Sequence, residues 1–200
     1  MLIAVVGADG AGKSTVTAAL RDRMVAAGRP ARVVDRWDIV DNPAYPTARF
    51  LRPDVRDLRT CVVRMANPPR FLFLMWASAQ ALAGGYPGLT VLDGYWMKHA
   101  ASEVAYGLDR AWVESVAGGL PEPDLTVHLR LSPELAWDRK GGQPYPYECG
   151  MDLTRTRSSF LAHQRRVHEV LDGWADRYGW YSVDATRPVD TVVEAVAGRL

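Results

Sequence analysis

Gly7-Ala8-Asp9-Gly10-Ala11-Gly12-Lys13-Ser14-Thr15 follows the short apolar run Leu2 to Val6 and opens a helical pattern with Val16, Leu20 and Met24 on one side. A strand, a glycine-rich turn and a helix are the setting in which backbone N–H groups can turn inward around an anion. The helix N-terminus adds its dipole to the same point. Lys13 is placed to reach terminal phosphates, and the Ser14 hydroxyl to sit on Mg²⁺. A glycine turn that merely joined a strand to a helix would have no need of Lys and Ser directly after the last glycine. The stretch therefore predicts a nucleotide phosphate site built from Gly7, Asp9, Gly10, Ala11, Gly12, Lys13, Ser14 and Thr15.

Outward from that loop, apolar strands alternate with helical patterns. The first helix runs to about Ala27, where Gly28 and Pro30 stop it. Arg32 to Asp35 reads as a second strand ending in Asp35-Arg36-Trp37, followed by a proline-spaced loop through Pro43 and Pro46. Val55, Leu58, Val62 and Met65 recur at helical spacing, with Cys61 expected as a small core thiol beside them. Asn67-Pro68-Pro69 breaks that helix. A new one, apolar nearly all round and so expected to be central, begins near Arg70.

Leu89 to Leu92 is a buried strand ending at Asp93, with helices to Tyr106 and from Arg110 to Ala117. Leu125 to Leu129 is the fourth strand, and Ser132-Pro133-Glu134 starts a helix with Ser as N-cap and Pro at the first position. Arg139-Lys140 leads into a loop rich in Tyr and Gly. A long helix carries Phe160, Val167, Leu171 and Trp174 on one face, Trp180 to Val183 is the fifth strand, and a final helix turns Val189, Val192, Val193 and Val196 inward. The alternation predicts an α/β fold, a parallel sheet with helices on both faces. The 200 residues suit one domain, 1–200, with a lid at about 140–152.

Lys+Arg is 24 against Asp+Glu 23, which gives no reason to expect a nucleic acid polymer as partner. Two distant cysteines, Cys61 and Cys149, are too few for a secreted disulfide scaffold. The N-terminus reads as a core strand rather than a leader, and no apolar stretch is long enough for a membrane span. The expectation is a soluble cytoplasmic protein.

Sites in open parallel sheets lie beyond the carboxyl ends of the strands, and three such ends carry polar chemistry: the glycine loop, Asp35-Arg36 and Asp93. Asp93 is placed to hold Mg²⁺ through its water or to accept a proton from an attacking hydroxyl; the alternative is a helix cap. Arg36, with Trp37 beside it, is placed to meet a second anionic group or lies solvated at the strand end. Arg139 and Lys140 are the cations a closing lid would bring over a transferring phosphoryl group. Arg155 and Arg157 read as exposed helix arginines. His163 and His168 lack the spacing of zinc ligands, His99 and His128 are isolated, and Mg²⁺ delivered with nucleotide is the expected ion.

The order of these pieces resembles the thymidylate kinase family of P-loop nucleoside monophosphate kinases over nearly the whole chain. The resemblance rests on the glycine loop with its acidic Asp9, on Pro123-Asp124-Leu125-Thr126, on Ala136 with Arg139, and on Val183-Asp184-Ala185-Thr186. It implies the P-loop three-layer sandwich with a five-stranded parallel sheet, ATP and Mg²⁺, and a small-molecule acceptor. It further implies a homodimer, for which the apolar helix near Phe71 is the candidate interface. By the same resemblance Arg139 and the turn Thr186-Arg187-Pro188 would hold adenine, and Arg36 would contact donor and acceptor phosphates.

The departures fall on the acceptor side. Asp93-Gly94-Tyr95 lacks the family's arginine after Asp, Trp76-Ala77-Ser78-Ala79-Gln80 lacks an Asp-Arg pair, and Tyr145-Pro146-Tyr147-Glu148 lacks another. Lys98 is the candidate replacement for one lost cation. Phe73, Trp76, Tyr95 and Tyr106 are candidate aromatic walls of an acceptor pocket, or ordinary core. The predicted activity is an ATP-dependent phosphotransfer to a nucleotide or nucleotide-like molecule. The alternatives are a kinase of a nucleoside, sugar or amino-sugar hydroxyl with Asp93 as base, and a non-catalytic nucleotide binder. No Asn-Lys-x-Asp sequence is present to read guanine.

Overall fold

A computed structural model of the chain describes residues 1–39 and 55–200, so the loop expected through Pro43 and Pro46 lies outside the described residues. Five strands form one parallel sheet: β1 (Leu2–Val6), β2 (Ala31–Val34), β3 (Leu89–Asp93), β4 (Leu125–Arg130) and β5 (Tyr181–Asp184), in the order β2-β3-β1-β4-β5. β1 is central and fully buried from Ile3 to Val6. Its side chains alternate between faces as the pleat demands. Ile3 and Val5 join one core cluster, while Ala4 and Val6 join the other. A strand covered on both faces must be apolar throughout, which is what Leu2 to Val6 supplies.

One face is covered by α1 (Lys13–Ala26) and α8 (Val189–Ala197), through Val16, Leu20, Met24, Val192, Val193 and Val196. The other is covered by α2 (Val55–Arg64), α3 (Asn67–Leu82), α4 (Tyr95–Ala105), α5 (Arg110–Ala117) and most of the long α7 (Arg157–Tyr178). Helices cover both faces of a parallel sheet as the alternation predicts, in the three-layer P-loop sandwich that the resemblance implies. The short α6 (Pro133–Arg139) begins at Ser132, whose hydroxyl accepts the Leu135 N–H as an N-cap.

Three local expectations change. α3 starts at Asn67, with both prolines inside its first turn, where no intrahelical N–H is needed. The helix is also sided rather than central: Phe71 is fully buried, whereas Leu72 is 48% exposed and Phe73 and Trp76 are partly covered. Cys61 is exposed, because α2 buries Leu58 and Val62 and turns the thiol outward. Among the described residues no helix is long and apolar enough to cross a membrane.

Candidate active site

The loop after β1 is shaped by residues that only glycine tolerates. Gly10 has φ +84°, and a Cβ there would lie 2.9 Å from the Ala136 Cβ, so the loop presses directly on α6. Gly12 caps α1 at φ 89°. Lys13 Nζ donates to the Ala8 carbonyl at 2.9 Å, holding the ammonium over the loop. Ser14 Oγ donates to Asp93 Oδ2 at 2.5 Å, joining the start of α1 to the carboxyl end of β3. The loop opens on a cleft of about 540 Å³, which Asp35, Arg36, Asp93, Lys98 and Arg139 also line. The three polar strand ends thus meet in one space.

The charges there are tightly matched. Burial alone would raise the Asp9 carboxyl, but Lys98, with Nζ 3.0 Å away, and Lys13 hold it well below the usual carboxylate range. Burial lowers the Lys13 ammonium, with Asp9 opposing and Lys98 adding to the effect. Burial likewise lowers Arg36, which lies 3.6 Å from Asp35, stacks on the Trp37 ring and keeps an unpartnered Nε. His99 is held neutral, well below its ordinary value, first by burial and then by Arg36, Lys98 and Lys13. Its Nε2 has no partner.

The segment from Arg139 to Asp152 is docked against the cleft. Arg139 Nη2 donates to the Ala185 carbonyl at 2.7 Å, tying α6 to the turn after β5, where Ala185 and Arg187 line the cleft. Thr186 is occupied elsewhere: its N–H and hydroxyl both go to Asp184. Lys140 pairs with the buried Glu148 at 3.1 Å. The Gln164 amide on α7 accepts the Asp9 N–H and donates to the Glu148 carbonyl, clamping phosphate loop and lid segment together.

A smaller chamber of about 80 Å³ opens beside the cleft, and Arg36, Lys98, His99 and Tyr147 line both spaces. Trp37 and Tyr106 line the chamber as well. The other aromatic candidates fall outside it. Phe73 and Trp76 tilt against each other beside the core, and Tyr95 is buried with its hydroxyl on the Pro121 carbonyl. Tyr95 borders a minor hollow shared with Arg36 and Asp93.

Sequence reasoning passed over Gln164, Arg70 and Glu103. A lone arginine at the head of Phe71-Leu72-Phe73-Leu74 was the available signal for a buried ion pair. Among the described residues no cluster of three or more His, Cys, Asp or Glu could hold a metal ion by itself.

A glycine loop at the end of a central parallel strand, with Lys13, Ser14 and Asp93 at its mouth, defines an ATP-dependent phosphotransferase of the P-loop class. The comparisons narrow the class. The chain is 34% identical to a thymidylate kinase of Mycobacterium tuberculosis, covering 89% of each chain. It is 28% identical to a probable thymidylate kinase of Archaeoglobus fulgidus, covering 98% of this chain and 92% of the relative. A thymidylate kinase of Xanthomonas campestris is 30% identical over 88% of this chain and 77% of its own. No protein-family model matches. The chain belongs to the thymidylate kinase family.

Proposed function

We propose that residues 1–200 work as one kinase domain that moves the γ-phosphate of ATP onto the phosphate of a nucleotide. The donor would lie along the glycine loop, its adenine towards Arg139, Ala185 and Arg187 and its terminal phosphates against Lys13. Ser14 and Asp93 are the hard oxygen pair suited to Mg²⁺, which when bound with ATP supplies positive charge against the β- and γ-phosphate oxygens. The acceptor would sit in the side chamber with its phosphate between Arg36 and Lys98, so that catalysis rests on positioning and charge. Lys140 and Glu148 would keep the lid, about 140–152, over the reacting groups. A homodimer is the proposed assembly, with Leu72 rather than Phe71 available on α3.

One observation carries this reading: Asp93 accepts the Ser14 hydroxyl hydrogen, engaging the carboxylate with the residue that would hold Mg²⁺. That contact weighs against Asp93 as the base of a hydroxyl kinase. Two cations at the chamber mouth further support an anionic acceptor.

The test is ADP release with nucleoside monophosphates, thymidylate included, beside unphosphorylated nucleosides, sugars and amino sugars. Turnover is expected with monophosphates, lost in Lys13→Ala and reduced roughly 100-fold or more in Asp93→Asn, with ATP affinity little changed. Robust turnover of unphosphorylated acceptors and none of monophosphates would overturn the proposal.

A further inference from the structure

One buried amide stands behind two of the lysines that flank the glycine loop. Gln164 on α7 is fully buried. Its Oε1 accepts the Asp9 N–H at 3.1 Å, and its Nε2 donates to the Glu148 carbonyl at 2.9 Å and, more weakly, to Asp9 Oδ2 at 3.4 Å. These partners fix the orientation of the amide, since a peptide N–H needs its oxygen and a carbonyl needs its N–H. Each of the two residues it joins is half of an ion pair. Asp9 Oδ1 lies 3.0 Å from Lys98 Nζ, and Glu148 Oε1 lies 3.1 Å from Lys140 Nζ. Both lysines line the cleft.

Glu148 belongs to a short 3-10 turn, Pro146–Cys149, within the lid segment. Its second carboxylate oxygen accepts the Tyr145 N–H at 2.8 Å, and the Tyr106 hydroxyl donates to the Tyr147 carbonyl. The turn is thus braced within itself and from the end of α4, and Gln164 links its main chain to that of the phosphate loop. A shift of this amide displaces Lys98 by way of Asp9 and Lys140 by way of Glu148. An apolar side chain in its place would leave a buried N–H and a buried carbonyl unpaired.

We propose that Gln164 is a positioning residue for phosphotransfer, setting the spacing of Lys98 and Lys140 about the glycine loop while touching neither nucleotide. The role rests on the phosphotransfer reading above. Cations that stabilise a transferring phosphoryl group act only when held in place beforehand, so the effect falls on turnover more than on ATP binding.

The test measures ADP release at saturating ATP and nucleoside monophosphate, with ATP affinity by calorimetry. Gln164→Leu removes both hydrogen bonds at similar volume, and kcat should fall about tenfold or more while ATP affinity stays within about threefold. Gln164→Glu reads the same role through pH. Protonated, the new carboxyl offers a carbonyl to Asp9 and an O–H to Glu148, as the amide does; ionised, it has no donor. Burial and the Asp9 and Glu148 carboxylates favour the protonated form, against the Lys98, Lys13 and Lys140 ammoniums. His163, the preceding residue on α7, is uncharged well above pH 4. The kcat of Gln164→Glu relative to wild type should lie within about threefold at about pH 6 and fall about tenfold or more at about pH 8.5. Thermal unfolding at both pH values reports whether each variant is folded, and Gln164→Glu carries the test if Gln164→Leu is not. A lowered unfolding midpoint with unchanged kcat in Gln164→Leu, or a Gln164→Glu ratio that does not change with pH, overturns the proposal and leaves the phosphotransfer reading standing. Wild type that turns over no monophosphate strikes that reading, and the role of Gln164 falls with it.

Discussion

Asp9 and Lys98 are both nearly buried, and they pair at 3.0 Å. The stretch around Asp9 is legible as a phosphate loop, but its carboxylate is turned towards α4, where it holds Lys98 in place. Gly94 makes room for this: a Cβ there would lie 3.5 Å from Lys13 Cε and 3.7 Å from Lys98 Cβ, so the two lysine stems run through the space beside it. Removing the cation leaves a carboxylate in a site too dry to solvate it. Lys98→Met should therefore cost about 3 kcal/mol of stability at neutral pH, the low end of the usual range because Lys13 still faces Asp9. Asp9→Asn combined with Lys98→Met should recover most of that stability in urea unfolding while phosphotransfer stays impaired. A single variant as stable as wild type would mean that Asp9 is already solvated.

The elements themselves were mostly legible, since each announces itself by local chemistry: Ser132 before Pro133, Gly28 after the first helix, the unbroken apolar run in β1. What periodicity could not give was the side of each helix that faces inward. Cys61 lies next to the apolar stripe of α2 and is exposed, while Arg70 interrupts an apolar run and is buried. Burial follows the partner across the gap, and that partner, Glu103, is on another helix. Contacts between elements also explain why α6 sits where it does. Gly10 lies so close to Ala136 that Gly10→Ala forces either the loop or the helix to move, in addition to straining a φ of +84°. Arg139, three residues further along α6, would move with it. Gly10→Ala is expected to lower ATP affinity at least tenfold while the thermal midpoint falls by only a few degrees, roughly the effect of 1–2 kcal/mol in a chain of this size. Unchanged ATP affinity by calorimetry would show that the loop does not need α6 beneath it.

At the scale of the whole molecule the cleft draws on the loop after β1, the ends of β2 and β3, and α1, α4, α6 and α8, with Gln164 of α7 bracing it from behind. Three of its strand-end contributors were readable because strand ends are visible in sequence. Gln164 and Glu148 were not, because nothing local says that a helix amide 155 residues after Asp9 will bond to it. The same assembly buries histidines in uncharged form, and this gives the molecule an acid-side weakness. Burial pushes His128 and His163 down to about 4. The Asp172 carboxylate near His128 opposes that shift, with His168 and Arg130 adding to it; around His163, Asp9 opposes while Lys98 and Arg166 add. His163 is also stacked on Tyr106, with ring centroids 4.8 Å apart. A histidine with an ordinary value near 6.5 when unfolded and about 4 when folded takes up its proton first in the unfolded chain. Stability is therefore complete above about pH 6.5 and is lost as the pH falls towards about 4, by on the order of 2 kcal/mol per histidine at pH 5. Glu103 and Glu148, raised by burial, act with the opposite sign over part of that window, while His99 and His168, also lowered by burial, add to the loss. Urea midpoints should drop between about pH 7 and about pH 5. His163→Gln should flatten that dependence, because its amide cannot take up the proton that favours unfolding. An unchanged slope in the variant would assign the acid sensitivity to other groups.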